Sequence, residues 1–245
     1  MSPTSPGKLY VVGVGPVDAE LVTLKATRII ANVPVIAFFA KRGRAGYARS
    51  IVADRMSKHT IELRLEYPFT PEVPVRAVRY ADQLDEFYEL ATTTIARYLD
   101  AGCDVALLCE GDPYFYGSSL GVLDRLSCTY RSEVVPGITG MSGCWTCAAL
   151  PMVHGDDVLT VLPGTLDQDS LVKWLSFCDA AVIMKVGSNL EKIRTALLRT
   201  GLMSRAVYVE HGTVSGERAL PLEQMDREAA PYFSMVLVPG RQRIR

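Results

Sequence analysis

The segment Val105-Ala-Leu-Leu-Cys-Glu-Gly-Asp-Pro-Tyr-Phe-Tyr116 sets groups capable of chemistry at the end of an apolar run. The run predicts a buried strand over residues 104–109, which breaks at Glu110-Gly111-Asp112-Pro113. An acidic, glycine-containing turn at the carboxyl end of such a strand is where open α/β sheets place ligands. Gly111 lets a ligand approach the backbone, Asp112 can accept from hydroxyls or an ammonium, and Pro113 stiffens the exit. The plainer reading of this segment alone is a strand-to-helix turn with Asp112 as a cap.

A second loop, Gly13-Val-Gly-Pro-Val-Asp18, follows the short apolar run Leu9-Tyr-Val-Val12. Its place after a first strand invites comparison with the dinucleotide fingerprint G-x-G-x-x-G. The third glycine is missing, because position 18 is Asp. Pro16 removes an N–H where a pyrophosphate needs donors, and Asp18 adds negative charge there. A ligand without phosphate fits this turn better, and a dinucleotide-binding oxidoreductase stands as the competing class.

Other motifs carry less. Cys144-Trp-Thr-Cys147 is a lone C-x-x-C among Met141, Ala148, Ala149 and Leu150, so it reads as core packing rather than zinc or redox chemistry. His59, His154 and His211 share no metal-ligand spacing, so no metal site is expected. No Walker loop occurs. The densest positive charge is Lys41-Arg42-Gly-Arg44, followed by Arg49, Arg55 and Lys58. Such runs are usually solvated faces, though arginine forks also suit clustered carboxylates.

The elements that must position these residues alternate between strand and helix. Strands are predicted over 9–12, 35–39, 104–109, 133–136, 158–162, 180–184, 206–209 and 235–238. Helices are predicted over 18–31, 75–101, 120–126, 170–177 and 190–200, with residues 41–74 less regular and polar. The order predicts an α/β fold with largely parallel sheets. Two such series imply two α/β domains, 1–138 and 139–245, with a ligand cleft between them.

The 245 residues supply ample core, with 49% hydrophobic and 22% charged residues. A net charge of −1 gives no global field to capture nucleic acid. No apolar run approaches the ~20 residues that span a bilayer. The N-terminal residues lack a secretory h-region, and the six cysteines sit mostly in apolar segments. A cytoplasmic protein is expected.

In register along nearly the whole chain, these pieces resemble the tetrapyrrole methylases. The resemblance rests on Gly13 to Asp18, Leu24-Lys-Ala26, Gly111-Asp-Pro113 with Tyr116, and Val135-Pro-Gly-Ile-Thr139. It continues through Met184-Lys-Val-Gly187 and Glu210-His-Gly212. Glu110-Gly-Asp-Pro113 and Leu65-Glu-Tyr-Pro-Phe69 are most similar to the branch that methylates carbon 20 of precorrin-2 in cobalamin biosynthesis. The cobalt-loaded substrate, or another corrin-pathway acceptor, is the alternative. Val17 departs from the family, which usually has a glycine there. A β-branched residue disfavours positive φ, so the loop is expected to be shaped differently.

The resemblance implies S-adenosyl-L-methionine as cofactor, a small tetrapyrrole substrate and a homodimer. Carried over by motif, Pro16, Gly111, Asp112 and Phe115 line the cofactor site. Thr139, Gly140, Val186, Gly187, His211 and Gly212 are expected to reach it from the second domain. The substrate's carboxylate arms call for local cations, and Arg42, Arg44, Arg49 and Lys185 are the candidates. The proton acceptor is not identified; Glu110, Tyr116 and His154 are the polar candidates.

Overall fold

Alternate residues of the first strands point to opposite faces, and each face meets a different pair of helices. A computed structural model of the chain describes residues 5–67, 78–213, 216–231 and 233–241. The chain divides into two units, Met1–Gly140 and Met141–Arg245.

The first unit holds β1 (Leu9–Gly13), β2 (Val35–Lys41), β3 (Ile61–Tyr67), β4 (Val105–Cys109) and β5 (Ser132–Val135). They form one parallel sheet in the order β3-β2-β4-β1-β5. Its helices are α1 (Leu24–Asn32), α2 (Tyr47–Ile51), α3 (Val78–Asp100) and α4 (Leu120–Leu126). On one face Leu9, Val11, Val35, Ala37, Val105 and Leu107 pack with Ile95 and Leu99 of α3 and Val122 and Leu126 of α4. On the other, Val12, Ile36, Phe38, Ala106 and Leu108 pack with Ala26 and Ile30 of α1 and Ala48 and Ile51 of α2. Burial on both faces explains why these strands read as continuous apolar runs.

The strand order creates a switch point. From β1 the chain crosses on the α1 face toward β2; from β4 it crosses on the α4 face toward β5. The turns after the adjacent strands β1 and β4 therefore lead to opposite faces, which is where sheets of this kind bind ligands.

The second unit holds α5 (Gly140–Cys147), which starts at the unit boundary, with α6 (Gln168–Leu175) and α7 (Leu190–Arg199). Its strands are β6 (Leu159–Pro163), β7 (Ala180–Met184), β8 (Val207–Glu210), β9 (Arg218–Pro221) and β10 (Ser234–Val238). They form a sheet in the order β6-β7-β10-β8-β9. Only β6 and β7 pair in parallel; β10 runs antiparallel to β7 and β8, and β9 antiparallel to β8. The expectation of largely parallel sheets holds in the first unit and fails in this one, where β8 returns as β9 through a short connection that permits only an antiparallel partner. Leu171, Leu175, Leu190, Ile193 and Leu197 of α6 and α7 cover one face against Ile183, Tyr208 and Val236.

Two strands escaped the sequence reading. β3 exposes most of its residues and buries only Leu65, because it is the edge of its sheet and carries Glu62, Arg64 and Glu66. β9 is a short edge strand ending in proline. The first helix begins at Leu24 rather than residue 18, capped by Thr23 Oγ1 on the Ala26 N–H, while Asp18 caps a separate short turn. Residues 68–74, the end of the irregular polar segment, and the start of the long helix at 75–77 lie outside the described residues.

Candidate functional site

Three turns of the first unit meet backbone to backbone at the carboxyl ends of β1, β4 and β5. Gly111 donates to the Gly15 carbonyl at 2.9 Å, and Gly15 donates in return to the Gly111 carbonyl at 3.4 Å. Side chains are excluded here by contact. A Cβ on Gly13 would stand 2.7 Å from both the Gly111 oxygen and the Gly137 nitrogen, and one on Gly137 only 2.1 Å from the Gly111 oxygen.

Asp112 pins the cluster. Its Oδ2 accepts the Gly137 N–H at 3.1 Å and its Oδ1 accepts the Tyr114 N–H at 2.9 Å. Thr139 and Gly140 lie beside Gly111, since a Cβ on Gly111 would find the Gly140 nitrogen at 3.6 Å and the Thr139 Cα at 4.0 Å. Both residues fall within the first unit, not the second as the motif reading had them. The structure thus gathers Gly111, Asp112, Thr139 and Gly140, with Pro16 in the β1 turn and Phe115 in the β4 turn. Phe115 meets the half-exposed Tyr116 edge-on, with ring centroids 5.1 Å apart.

Backbone strain collects in the same kind of place. Among the described residues, six other than glycine have a positive φ, and Ala149 is the one outside the turns after β1, β4, β7 and β8. The others are Val17 (77°), Tyr116 (57°), Lys185 (54°), His211 (53°) and Thr213 (72°). Val17 therefore does adopt the left-handed conformation that its branched side chain was expected to avoid. Its side chain packs against the α1-side core, which compensates part of the cost. Held strain at strand ends is a mark of functional turns.

In the second unit, β10 runs antiparallel to both β7 and β8, so the turns after β7 and β8 share one edge of the sheet. They carry Lys185, Val186, Gly187, His211 and Gly212. Val186 is buried, Lys185 is exposed, and a Cβ on Gly187 would meet nothing within 4 Å. The buried Glu210 ends β8 and accepts from the Tyr208 hydroxyl at 2.7 Å, with the Arg227 guanidinium at 3.3 Å. Burial first, and the Glu210 bond second, push the Tyr208 phenol up. Sequence reasoning saw Glu210 only as part of a motif; this anchoring role depends on Arg227, in a different segment. Cys144 packs against Gly212, where a Cβ would lie 3.0 Å from its sulfur, and burial lifts its thiol to about 12. An inert core thiol agrees with the packing reading of the C-x-x-C pair.

The remaining candidates separate. His154 lies in the turn before β6, where its N–H donates to Asp157 Oδ2 at 2.9 Å, at the opposite edge of the sheet from Lys185 and His211. Arg49 is engaged by Glu62, its Nε and Nη2 lying 3.0 and 2.8 Å from the two carboxylate oxygens. Arg42 and Arg44 are exposed on the loop between β2 and α2. Glu110, at the end of β4, has a carboxyl pKa raised by burial and partly restored by the Ala48 N–H. Among the described residues no cluster of His, Cys, Asp and Glu could hold a metal ion, and no helix is long and apolar enough to cross a membrane.

Comparison with known proteins settles the family. The chain matches the model of the Tetrapyrrole (Corrin/Porphyrin) Methylases over residues 8–226. It belongs to that family. This methylase is 47% identical over 240 residues to a precorrin-2 C(20)-methyltransferase of Sinorhizobium sp, covering 98% of each chain. It is 28% identical to the cobalt-precorrin-2 C(20)-methyltransferase of Salmonella typhimurium, covering 95% of this chain and 96% of the other. A uroporphyrin-III C-methyl transferase of Thermus thermophilus, solved with S-adenyl homocysteine, shares the methylase's fold. Its TM-score is 0.67 at 24% identity, covering 94% of this chain and 92% of that one.

Proposed function

We propose that this methylase transfers a methyl group from S-adenosyl-L-methionine to carbon 20 of precorrin-2, yielding precorrin-3A and S-adenosyl-L-homocysteine in cobalamin biosynthesis. The observation that carries this reading is the 47% identity, across 98% of both chains, with a precorrin-2 C(20)-methyltransferase. The cobalt-loaded acceptor is the second reading, supported by the relative that is 28% identical. The higher identity favours the metal-free substrate.

The residues present suit the cofactor. Gly111 and Gly187 leave backbone uncovered, since a Cβ at the first would meet nothing nearer than 3.6 Å and at the second nothing within 4 Å. Backbone groups of such turns can read an adenosyl and an amino-acid moiety, and the Asp112 carboxylate favours a positive charge. When bound, the cofactor supplies an electrophilic methyl on a sulfonium that is its own leaving group. We assign cofactor contacts to Pro16, Gly111, Asp112, Phe115, Thr139 and Gly140 in the first unit; in the second unit the motif turns with Val186, Gly187, His211 and Gly212 are the candidates. These residues contribute alignment and exclusion of water, which suffices for an in-line displacement by an electron-rich carbon. No activated nucleophile is required of the chain.

Arg42, Arg44 and Lys185 are the cations we assign to the acceptor's carboxylate arms, and Tyr116 is retained as a proton-acceptor candidate. His154 is set aside because it stands on the opposite edge of its sheet. A cytoplasmic homodimer completes the reading; light scattering of the purified protein checks the dimer. Calorimetric titration tests the cofactor: heat with S-adenosylmethionine and S-adenosylhomocysteine is expected, and heat with NAD alone would contradict the assignment.

A further inference from the structure

Strands β2 and β4 pair from Val35 and Val105 to Phe38 and Leu108. Beyond that point β2 stays paired with β3 as far as Lys41 and Tyr67, while the Cys109 carbonyl turns away to accept the Val14 N–H at 2.9 Å. Helix α2 starts where the two strands part. Its N-cap is Gly46 at φ 81°, which has no side chain to cap with. No larger capping residue fits, because a Cβ there would stand 2.8 Å from the Phe39 oxygen. The first amides of α2 must find an acceptor elsewhere.

Glu110 is that acceptor: its Oε1 takes the Ala48 N–H at 3.1 Å, across 62 residues of sequence. A carboxylate at this end of the helix also complements the helix dipole. On the other flank Arg49 of α2 grips Glu62 of β3, and Arg64 of β3 donates to the Lys41 carbonyl at 2.9 Å. The loop bearing Arg42 and Arg44 is thus tied at its start to β3, and at its end, through α2, to the residue preceding Gly111 and Asp112.

We infer that Glu110 is a positioning residue, not the proton acceptor: it fixes the Arg42–Arg44 loop relative to the Gly111–Asp112 turn, and so sets substrate cations relative to cofactor contacts. This inference rests on the proposed reading of the chain as a precorrin-2 methyltransferase. Two substitutions separate the roles. Glu110→Gln keeps an oxygen that can accept the Ala48 N–H, whereas Glu110→Ala does not; neither can take up a proton as a carboxylate base.

In Glu110→Ala the KM for precorrin-2 should rise about tenfold, the usual scale for losing one charge-assisted hydrogen bond. Its kcat and its affinity for S-adenosylmethionine should stay within about twofold of the native values on the same grounds. Glu110→Gln should recover most of the lost substrate affinity. Hydrogen exchange supplies a readout that needs no turnover: the Ala48 amide should exchange faster in Glu110→Ala and at the native rate in Glu110→Gln. Equal losses of kcat in both variants, or an Ala48 amide indifferent to both, would overturn the assignment. Should the native protein methylate no precorrin-2 at all, the functional reading fails, while exchange at Ala48 still decides whether Glu110 holds the loop.

Discussion

Asp112 Oδ2 accepts the Gly137 N–H at 3.1 Å, so one carboxylate ties the turn after β4 to the turn after β5. The same side chain holds the Tyr114 N–H through Oδ1. Removing it should loosen both turns at once. Asp112→Ala is expected to cost about 1–3 kcal/mol of stability and to weaken S-adenosylmethionine at least about tenfold. Denaturation and calorimetry read the two effects separately. Lost stability with native cofactor affinity would confine Asp112 to a structural role.

Gly137 tests the backbone contact itself. A methyl added there would lie 2.1 Å from the Gly111 oxygen, and backbone on both sides leaves no flexible side chain to yield. Gly137→Ala should therefore destabilise the first unit by about 1–3 kcal/mol, the range for overpacking a tight contact. A urea midpoint unchanged by the substitution would show that the turns are looser than described.

The cationic loop divides by partner. Arg42 and Arg44 are exposed, while Arg49 is committed to Glu62, whose carboxyl it holds below the ordinary range. Charge reversal at Arg42 or Arg44 should raise the KM for precorrin-2 severalfold and leave the melting temperature alone. Charge reversal at Arg49 should instead lower the melting temperature, since it places like charges together at α2 and β3. A KM unmoved by both Arg42 and Arg44 substitutions would remove them from the substrate site.

Much of this arrangement was legible in the sequence because the central strands β1, β2 and β4 are covered on both faces and must be apolar throughout. The charged β3 was not, since a sheet edge needs no such run. Strand direction in the second sheet was equally hidden: periodicity reports which face is buried, while the antiparallel placement of β10 is fixed by pairing. The motif turns could be located from Gly111, Asp112 and Gly187, yet the work of Glu110 could not, because its partner Ala48 lies far away along the chain. The φ of Val17 was hidden for a related reason. Local preference disfavours its φ, and packing against the α1-side core holds it there.

Acid should expose one ion cluster of the first unit. Lys25 and Lys8 hold Glu133 down from an ordinary 4.5 to about 2. A carboxylate with a depressed folded pKa adds stability that is present above the unfolded value and is lost as pH falls through the folded one. The native protein should thus lose stability between about pH 4.5 and 2, modestly because the side chain is partly solvated. Glu133→Gln should flatten that part of the curve in a melting series. A variant as acid-sensitive as the native chain would show that the cluster adds nothing to stability.

The central claim is that this methylase places a methyl group on one particular carbon of precorrin-2. Incubation of the purified protein with precorrin-2 and methyl-labelled S-adenosylmethionine, followed by NMR of the product, tests it directly. A single new methyl resonance assigned to carbon 20 is the predicted result. A label at another ring position, or no transfer by a protein that demonstrably binds the cofactor, would contradict it.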